Sequence, residues 1–162
     1  MVEIADFLIK FAIGPFEVNE KTGPLLVDKI WFRHFRPMEL FLAREFVRKA
    51  ILPGLYYFDV YLPTEETWEW FERMPEQYWR MAIPYVHRID AVCYTDEFVY
   101  IIEFKVRLKY SAIGQLEGYA DWFNRTYRPR KPIKKMVVYA LDRPELHETC
   151  DRLNIIRYHL KV

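Results

Sequence analysis

The chain has 162 residues, of which 52% are hydrophobic and 18% are aromatic. This length and composition predict one folded domain with a full core and exclude an intrinsically disordered chain. A formal net charge of +1 leaves nucleic-acid binding open, because binding depends on how charges are distributed. No apolar run approaches the ~18 residues of a membrane helix, and the first residues lack the basic start and cleavage site of a signal peptide.

Residues 1–36 are predicted to be an irregular lead-in, because the breakers Gly14-Pro15 and Gly23-Pro24 interrupt them. Residues 37–50 then show apolar residues at three- and four-residue spacing, which predicts a helix. The aromatic and β-branched run from Tyr56 to Leu62 predicts a strand.

Residues 64–85 are predicted to be a helical insertion rich in acidic and aromatic side chains. Its aromatic group covers one edge of the sheet if it is buried. If it is exposed, it stacks on bases or forms the surface of a homodimer or larger complex. The group consists of Trp68, Trp70, Phe71, Tyr78 and Trp79.

Two adjacent strands are predicted at Val86–Tyr94 and Phe98–Leu108, joined by a turn at Asp96-Glu97. A helix over residues 112–126 and a strand over Lys135–Leu141 follow, and residues 142–162 form a helix-strand extension. The expected class is α/β, with a mixed central sheet flanked by helices. The expected domain is a single one, 1–162, whose core spans about residues 37–141 in the order α-β-β-β-α-β.

The two adjacent strands bring two carboxylates together. With the turn centred on Asp96-Glu97, the numbers of paired residues sum to 193, which sets Asp90 opposite Glu103. Opposed residues of an antiparallel pair have Cβ atoms about 5 Å apart. Two carboxylates at that distance repel each other unless a cation or a proton lies between them, and Mg²⁺ is the usual hard cation. Lys105 shares the face of Glu103, since side chains alternate along a strand.

The next helix places Gln115 and Tyr119 on one face, four residues apart. Gly114 and Gly118 leave gaps in which a sheet or a DNA strand can approach the backbone. Each signal alone is weak: Glu-x-Lys is common on protein surfaces, and a lone helical tyrosine is often a core residue. The combination is what predicts a site.

Asp90, Glu103-Phe104-Lys105 and Gln115-Leu116-Glu117-Gly118-Tyr119 resemble the PD-(D/E)XK nuclease superfamily, in particular its RecB-like branch. The resemblance implies a restriction-endonuclease-like core. It implies that Asp90, Glu103 and the backbone carbonyl of Phe104 bind Mg²⁺, for which Mn²⁺ substitutes. It also implies that Lys105 orients or deprotonates the attacking water, and that Gln115 and Tyr119 position the phosphate or the site.

In this superfamily a glutamate of the first helix often completes the metal site. Glu39 and Glu45 are the two candidates here, and Glu39 is favoured because it shares a helical face with Leu42 and Phe46. The proline that usually precedes the metal-binding aspartate is replaced by Ile89.

Basic residues are clustered, although the chain is nearly neutral. A segment after the Gln-Tyr helix is predicted to contact DNA phosphates, with a solvated loop as the alternative. Its residues are Arg128, Arg130, Lys131, Lys134 and Lys135. Smaller groups are Arg33, His34 and Arg36 before the first helix, and Arg107 and Lys109 after the Glu-x-Lys strand.

The sequence therefore predicts a metal-dependent deoxyribonuclease that acts in DNA repair, recombination or viral and mobile-element DNA processing. The alternative is a non-catalytic DNA-binding or assembly module on the same fold. Two cysteines without metal-type spacing predict free thiols in the cytoplasm, or in the host-cell cytoplasm if the protein is viral. Few amide side chains and a single serine are typical of thermophilic proteins.

Overall fold

One six-stranded sheet forms the centre of the computed structural model, which describes residues 3–33 and 36–162. The strands lie side by side in chain order: β1 Ile13–Val18, β2 Gly54–Leu62, β3 His87–Tyr94, β4 Val99–Arg107, β5 Ile133–Leu141 and β6 Ile155–His159. Neighbours from β1 to β4 are antiparallel, whereas β5 is parallel to β4 and β6 is parallel to β5. The predicted α/β class with a mixed sheet is confirmed.

Helices cover both faces of this sheet. They are α1 Ile4–Ile9, α2 Gly23–Leu26, α3 Pro37–Arg48, α4 Glu65–Arg73, α5 Tyr110–Tyr127 and α6 His147–Arg152, with 3₁₀ segments at Val27–Lys29, Glu76–Tyr85 and Pro144–Leu146. One core cluster joins α3 to the sheet, and a second joins α5 and α6 to the opposite face. A third, smaller cluster packs α1 against α4 and the second 3₁₀ segment.

Helix α3 forms where the spacing predicts it. Leu42 and Phe46 are fully buried and lie one turn apart, while Pro37 occupies the first turn, where its missing N–H matters least. Strand β4 lies between β3 and β5, and its residues from Ile101 to Phe104 are buried. The central strand predicted from its apolar run is therefore confirmed.

The prediction of an irregular lead-in is wrong, because residues before α3 form α1, β1 and α2. Pro15 is accommodated because it lies on an edge strand, at the irregularity between Ile13 and Phe16 where the register with β2 shifts. Gly23-Pro24 begins a helix rather than ending a segment. Only glycine fits at position 23, since an added Cβ would lie 2.4 Å from the carbonyl oxygen of Val47.

The helical insertion divides its aromatic group between the core and the surface. Trp68, Phe71 and Trp79 are buried, whereas Tyr78 is 42% exposed. Cys93 and Cys150 are buried free thiols. None of the helices in the described part of the chain is long and apolar enough to span a membrane. His34, which belongs to the basic group before α3, lies outside the described residues.

Candidate metal and phosphate site

The site lies where β3 and β4 stop pairing. Their ladder runs from Tyr94 and Val99 to Ala91 and Ile102, so the predicted pairing sum of 193 is observed. One step further, Asp90 and Glu103 are joined by side chains instead of by ladder bonds. The backbone N–H of Phe104 donates to Oδ2 of Asp90 over 2.9 Å, and the N–H of Asp90 donates to Oε1 of Glu103 over 3.4 Å.

This exchange of partners explains why the strands can separate there. Buried backbone N–H groups need acceptors, and the two carboxylates supply them where strand carbonyls no longer do. Beyond the break, β3 continues to pair with β2, and β4 continues to pair with β5. The gap is therefore a stable feature of the sheet and not a frayed end.

Burial makes the two carboxyl groups weaker acids than usual. Glu103 is only 3% exposed. Burial, followed by the nearby charge of Asp90, raises the pKa of Glu103 well above its ordinary value. Burial likewise raises the pKa of Asp90, against the opposing effect of hydrogen bonds from Glu103 and the Phe104 N–H. A buried pair of this kind requires a shared proton or a cation when the protein is at neutral pH.

A cavity of about 200 Å³ surrounds the carboxylates and is lined by both helical layers. Helix α3 contributes Glu39, and α5 contributes Gln115 and Tyr119. The other lining residues are Arg36, Arg88, Asp90, Glu103, Lys105 and Lys109. The structure thus places the five predicted catalytic side chains and Glu39 around one opening, because the gap in the sheet can be reached from both faces.

The choice between the two glutamates of α3 follows from their surroundings. Glu39 lies close enough to Asp90 for its charge to contribute to the raised pKa of Asp90. Glu45 instead accepts hydrogen bonds from Arg48 on the outer surface of the helix, over 3.1 Å from Nε. Glu39 is the glutamate that lines the cavity.

Gln115 and Tyr119 line the cavity with polar groups of different kinds. Gln115 lies close enough to Tyr119 to affect its pKa, and the buried Oε1 of Gln115 has no hydrogen-bond partner among the described residues. Burial raises the pKa of Tyr119 to about 12, so its hydroxyl keeps its proton at neutral pH. The pair therefore offers a protonated hydroxyl and an unused amide oxygen to whatever enters the cavity.

Gly114 and Gly118 do not allow α5 to approach the sheet. An added Cβ at either position would meet nothing within 4 Å. Both glycines are exposed, so of the two expected uses, close contact with the sheet is wrong. Approach of a DNA strand stays a prediction.

The donor chemistry of the cavity fits a hard divalent cation such as Mg²⁺. Its candidate ligands are all oxygens: the Asp90 and Glu103 carboxylates, the Phe104 carbonyl predicted from the sequence, and Glu39 beside them. The described residues contain no group of three or more acidic, histidine or cysteine side chains arranged to hold a metal. Water or phosphate oxygens would therefore have to complete the coordination.

None of the five residues of the basic segment lines this cavity. Ile133 pairs with Val99 at the start of β4, while Glu103 is four residues further along. At about 3.3 Å per residue the separation along the strand is about 13 Å. Arg128, Arg130 and Lys131 come before this point, and Nζ of Lys131 donates to the carbonyl of Thr95 at the β3–β4 turn over 2.6 Å. Lys134 and Lys135 follow Ile133 within β5 and pair with Tyr100 and Ile101.

Besides Lys131, two more of the five residues are engaged within the protein. Nζ of Lys135 donates to Glu117 and to the carbonyl of Leu153, and its side chain is 18% exposed. Lys134 lies over the ring of Phe98, with Nζ 4.6 Å from the ring centroid. Arg128, Arg130 and Lys131 are the exposed members of the segment.

Asp59 is a polar residue of this region that the sequence analysis missed. It is 5% exposed in the middle of β2 and has a backbone φ of 59°, which is unusual for a residue other than glycine. A single carboxylate inside the otherwise apolar and aromatic run from Tyr56 to Leu62 was the available signal. Nothing in the sequence showed that β2 would pair with β3 at this level, because the helical insertion separates the two strands.

Comparison with known proteins finds no match to this chain, whether among family models, curated proteins or solved structures. The functional argument therefore rests on the geometry of the site and on the motifs that it contains.

Proposed function

We propose that the protein is a Mg²⁺-dependent deoxyribonuclease of the PD-(D/E)XK type. The observation that carries the proposal is the buried pair of carboxylates at the gap between β3 and β4, with Lys105, Gln115 and Tyr119 around the same cavity. A pair of buried carboxylates is unfavourable for folding, and groups with such perturbed pKa values are concentrated at functional sites. The order α3, β2, β3, β4, α5, β5 supports the restriction-endonuclease-like α-β-β-β-α-β core.

Asp90, Glu103 and the carbonyl of Phe104 would hold the cation, with Glu39 assisting directly or through water. When bound, Mg²⁺ polarises the scissile phosphate and offsets the negative charge that develops on it. The carboxylates are held by the backbone N–H groups of Phe104 and Asp90, so their positions are fixed before substrate enters. Such preorganisation is the main protein contribution to reactions of this class.

Lys105 hydrogen-bonds the attacking water from the face that it shares with Glu103. The oxygen of that water forms a bond to phosphorus while the bond from phosphorus to the leaving sugar oxygen breaks. One proton is lost from the water and one is gained by the leaving oxygen. Tyr119 keeps its proton and donates to a phosphate oxygen, and Gln115 accepts a hydrogen bond from water or positions Tyr119.

The decisive experiment incubates purified protein with linear, circular, single-stranded and branched DNA, in Mg²⁺ or in EDTA. We expect cleavage of at least one substrate in Mg²⁺, restoration of cleavage when Mn²⁺ replaces Mg²⁺, and none in EDTA. A matched Glu103→Gln sample excludes a contaminating nuclease. DNA binding without cleavage of any substrate would favour the alternative of a non-catalytic module.

A further inference from the structure

Asp59 joins two arginines beside the metal and phosphate site. Its Oδ2 accepts hydrogen bonds from the backbone N–H and from Nη1 of Arg33, each over 3.0 Å. Its Oδ1 lies 3.8 Å from Nε of Arg88. One buried carboxylate therefore faces two guanidinium groups.

The arrangement leaves positive charge and hydrogen-bond donors unused. Within residues 3–33 and 36–162, Asp59 is the one acidic group within ion-pair distance of either arginine. Each guanidinium carries five N–H donors, and the contacts to Asp59 occupy few of them. The two side chains remain 33% and 22% exposed, so the free donors can reach a ligand.

Both arginine side chains pack against the ring of Tyr61. The guanidinium carbons of Arg33 and Arg88 lie 5.5 and 5.9 Å from the centroid of the Tyr61 ring. Asp59 and Tyr61 belong to the same strand, so β2 supplies both the charge and the platform. Rigid guanidinium groups suit bidentate recognition of phosphate, because the entropy of fixing them has already been lost.

The cavity beside Asp59 adjoins the metal and phosphate site, because the two share lining residues. It measures about 270 Å³ and is lined by Phe32, Asp59, Val86, His87, Arg88, Asp90 and Tyr119. Arg88, Asp90 and Tyr119 also line the cavity that contains Glu103 and Lys105. A ligand that extends from the carboxylates along β3 therefore meets Arg88 next, and Arg33 lies on the other oxygen of the same Asp59 carboxylate.

The backbone of Asp59 suggests that this arrangement serves function more than folding. A positive φ is rare at a non-glycine residue in a strand and persists where surrounding contacts impose it. At this point β2 also changes the face it presents, since Phe58 belongs to one core cluster and Val60 to the other. The change of face keeps the apolar side chains buried on both sides of Asp59.

We propose that Arg33 and Arg88 form a phosphate-binding site for the substrate strand, next to the phosphodiester that is cleaved, and that Asp59 is their positioning residue. The ligand is a phosphate of DNA, and the arginines contact its backbone without reading bases. This inference rests on the proposed nuclease function for the identity of the ligand. The contacts that define the arginine pair are independent of any metal.

The test measures the affinity of a short single-stranded oligonucleotide against salt concentration in EDTA. Arg33→Met and Arg88→Met should each weaken binding and reduce the slope of log affinity against log salt by about 0.7. Arg152→Met is the matched control, an exposed arginine of α6 at the far side of the sheet, and should leave the slope unchanged. Slopes equal to that of the wild type in both site variants would overturn the proposal, as would a wild type that does not bind.

Conservative variants separate a fixed phosphate site from a diffuse positive field. Arg33→Lys and Arg88→Lys keep the charge but lose the planar fork, so the salt slope should recover while affinity stays several-fold below that of the wild type. Full recovery of affinity by lysine would contradict the site. For Asp59, Asn is the conservative test. We expect a folded Asp59→Asn protein to bind the oligonucleotide several-fold more weakly, because the guanidinium groups are no longer held in place, whereas a purely structural role would lower the melting temperature and leave the affinity per folded molecule unchanged.

The outcomes also distinguish this inference from the proposed function. If the wild type never cleaves DNA but both methionine variants lose salt slope, the phosphate site stands and the nuclease proposal fails. If the wild type cleaves DNA in Mg²⁺ and both slopes are unchanged, the nuclease proposal stands and the arginine site fails.

Discussion

Charged residues cluster near both ends of β4, but the two clusters have different surroundings. At the end that we call the site end, Glu103 and Lys105 face a cavity together with Asp90, and Arg88 lies beside them. At the end that we call the turn end, beside the β3–β4 turn, the cations of the basic segment either face solvent or contact groups of the protein itself. In the sequence, both regions are clusters of charged residues.

Burial and partners are what separate the two ends. The site end keeps carboxylates of raised pKa and an amide oxygen without a partner around an open cavity. The turn end satisfies Lys131 and Lys135 with carbonyl oxygens of the fold. A cluster of charges is therefore a candidate site when its groups are buried yet incompletely satisfied, and a structural or solvated feature otherwise.

The largest expected effect comes from removing a charge at the site end. Glu103→Gln should lower Mg²⁺-dependent cleavage by at least about 10²-fold while DNA binding persists, because the cation loses a ligand and its orientation. Asp90→Ala and Lys105→Ala should have similar effects. The matched control is Glu45→Gln, a surface carboxylate of α3, which should cleave at the wild-type rate. Undiminished turnover in pure Glu103→Gln protein would refute the assignment.

The second prediction concerns stability and pH at the site end. The pKa values of Glu103 and Asp90 are raised in the folded state, so the folded protein holds more protons than the unfolded chain above about pH 4. Stability of the metal-free protein should therefore fall as pH rises from about 4 through the raised pKa values. Glu103→Gln should show less of this loss. Each kcal/mol that the variant gains in free energy of unfolding relative to the wild type raises its melting temperature by about 2–4 °C.

The measurement is thermal unfolding of wild type and Glu103→Gln in EDTA and in Mg²⁺ at several pH values. The melting temperature of the variant should exceed that of the wild type by an amount that grows with pH in EDTA. This excess should shrink when Mg²⁺ is added, because the cation offsets the charge of the carboxylate pair. A difference that does not vary with pH would show that the two carboxylates are not held with raised pKa values.

A smaller effect is expected from the helix that faces the carboxylates. Gln115→Ala should slow cleavage roughly tenfold and change DNA affinity less, since it removes about one hydrogen bond at the reacting centre. Asn124→Ala is the control, because it removes an exposed amide from the same helix. Equal losses of rate and affinity would mean that Gln115 contributes to binding alone.

At the turn end we expect an effect on binding without an effect on chemistry. The Arg128→Gln and Arg130→Gln double variant should weaken binding about equally for two unrelated DNA sequences. It should also reduce the salt slope by roughly one unit per lost phosphate contact. The rate at saturating DNA should not change. A slope equal to that of the wild type would show that these exposed residues belong to a solvated loop.

The smallest effect should come from substituting Lys135. This test distinguishes the cations of the basic segment that hold the fold together from those that are exposed. Lys135→Met should lower stability by about 1 kcal/mol, because the amine is held by Glu117 and by the Leu153 carbonyl. Its salt slope for DNA binding should match that of the wild type. A lost slope with unchanged stability would instead place Lys135 on the DNA.

Much of the fold could be predicted because it depends on local patterns. The 3.6-residue spacing of Leu42 and Phe46 defined α3, and the turn at Asp96-Glu97 set the register of β3 against β4. The prediction of an irregular lead-in was wrong because proline and glycine interrupt helices and strands only in some positions. Pro15 lies on an edge strand and Pro24 in a first helical turn, and neither context is visible in the sequence.

The sequence by itself determined which groups meet at the gap between β3 and β4, because a short turn and a two-residue strand period leave little freedom. Only the tertiary structure decided which cations stand beside them. Helix α5 has 18 residues, about 27 Å at 1.5 Å per residue, and carries the basic segment to the turn end. Pairing of β2 with β3 brings Asp59 beside Arg88, and Asp59 in turn holds Arg33 there from a distant part of the chain. Long-range strand pairing and helix length are properties of the packed core, so no local pattern could have assigned these charges to their places.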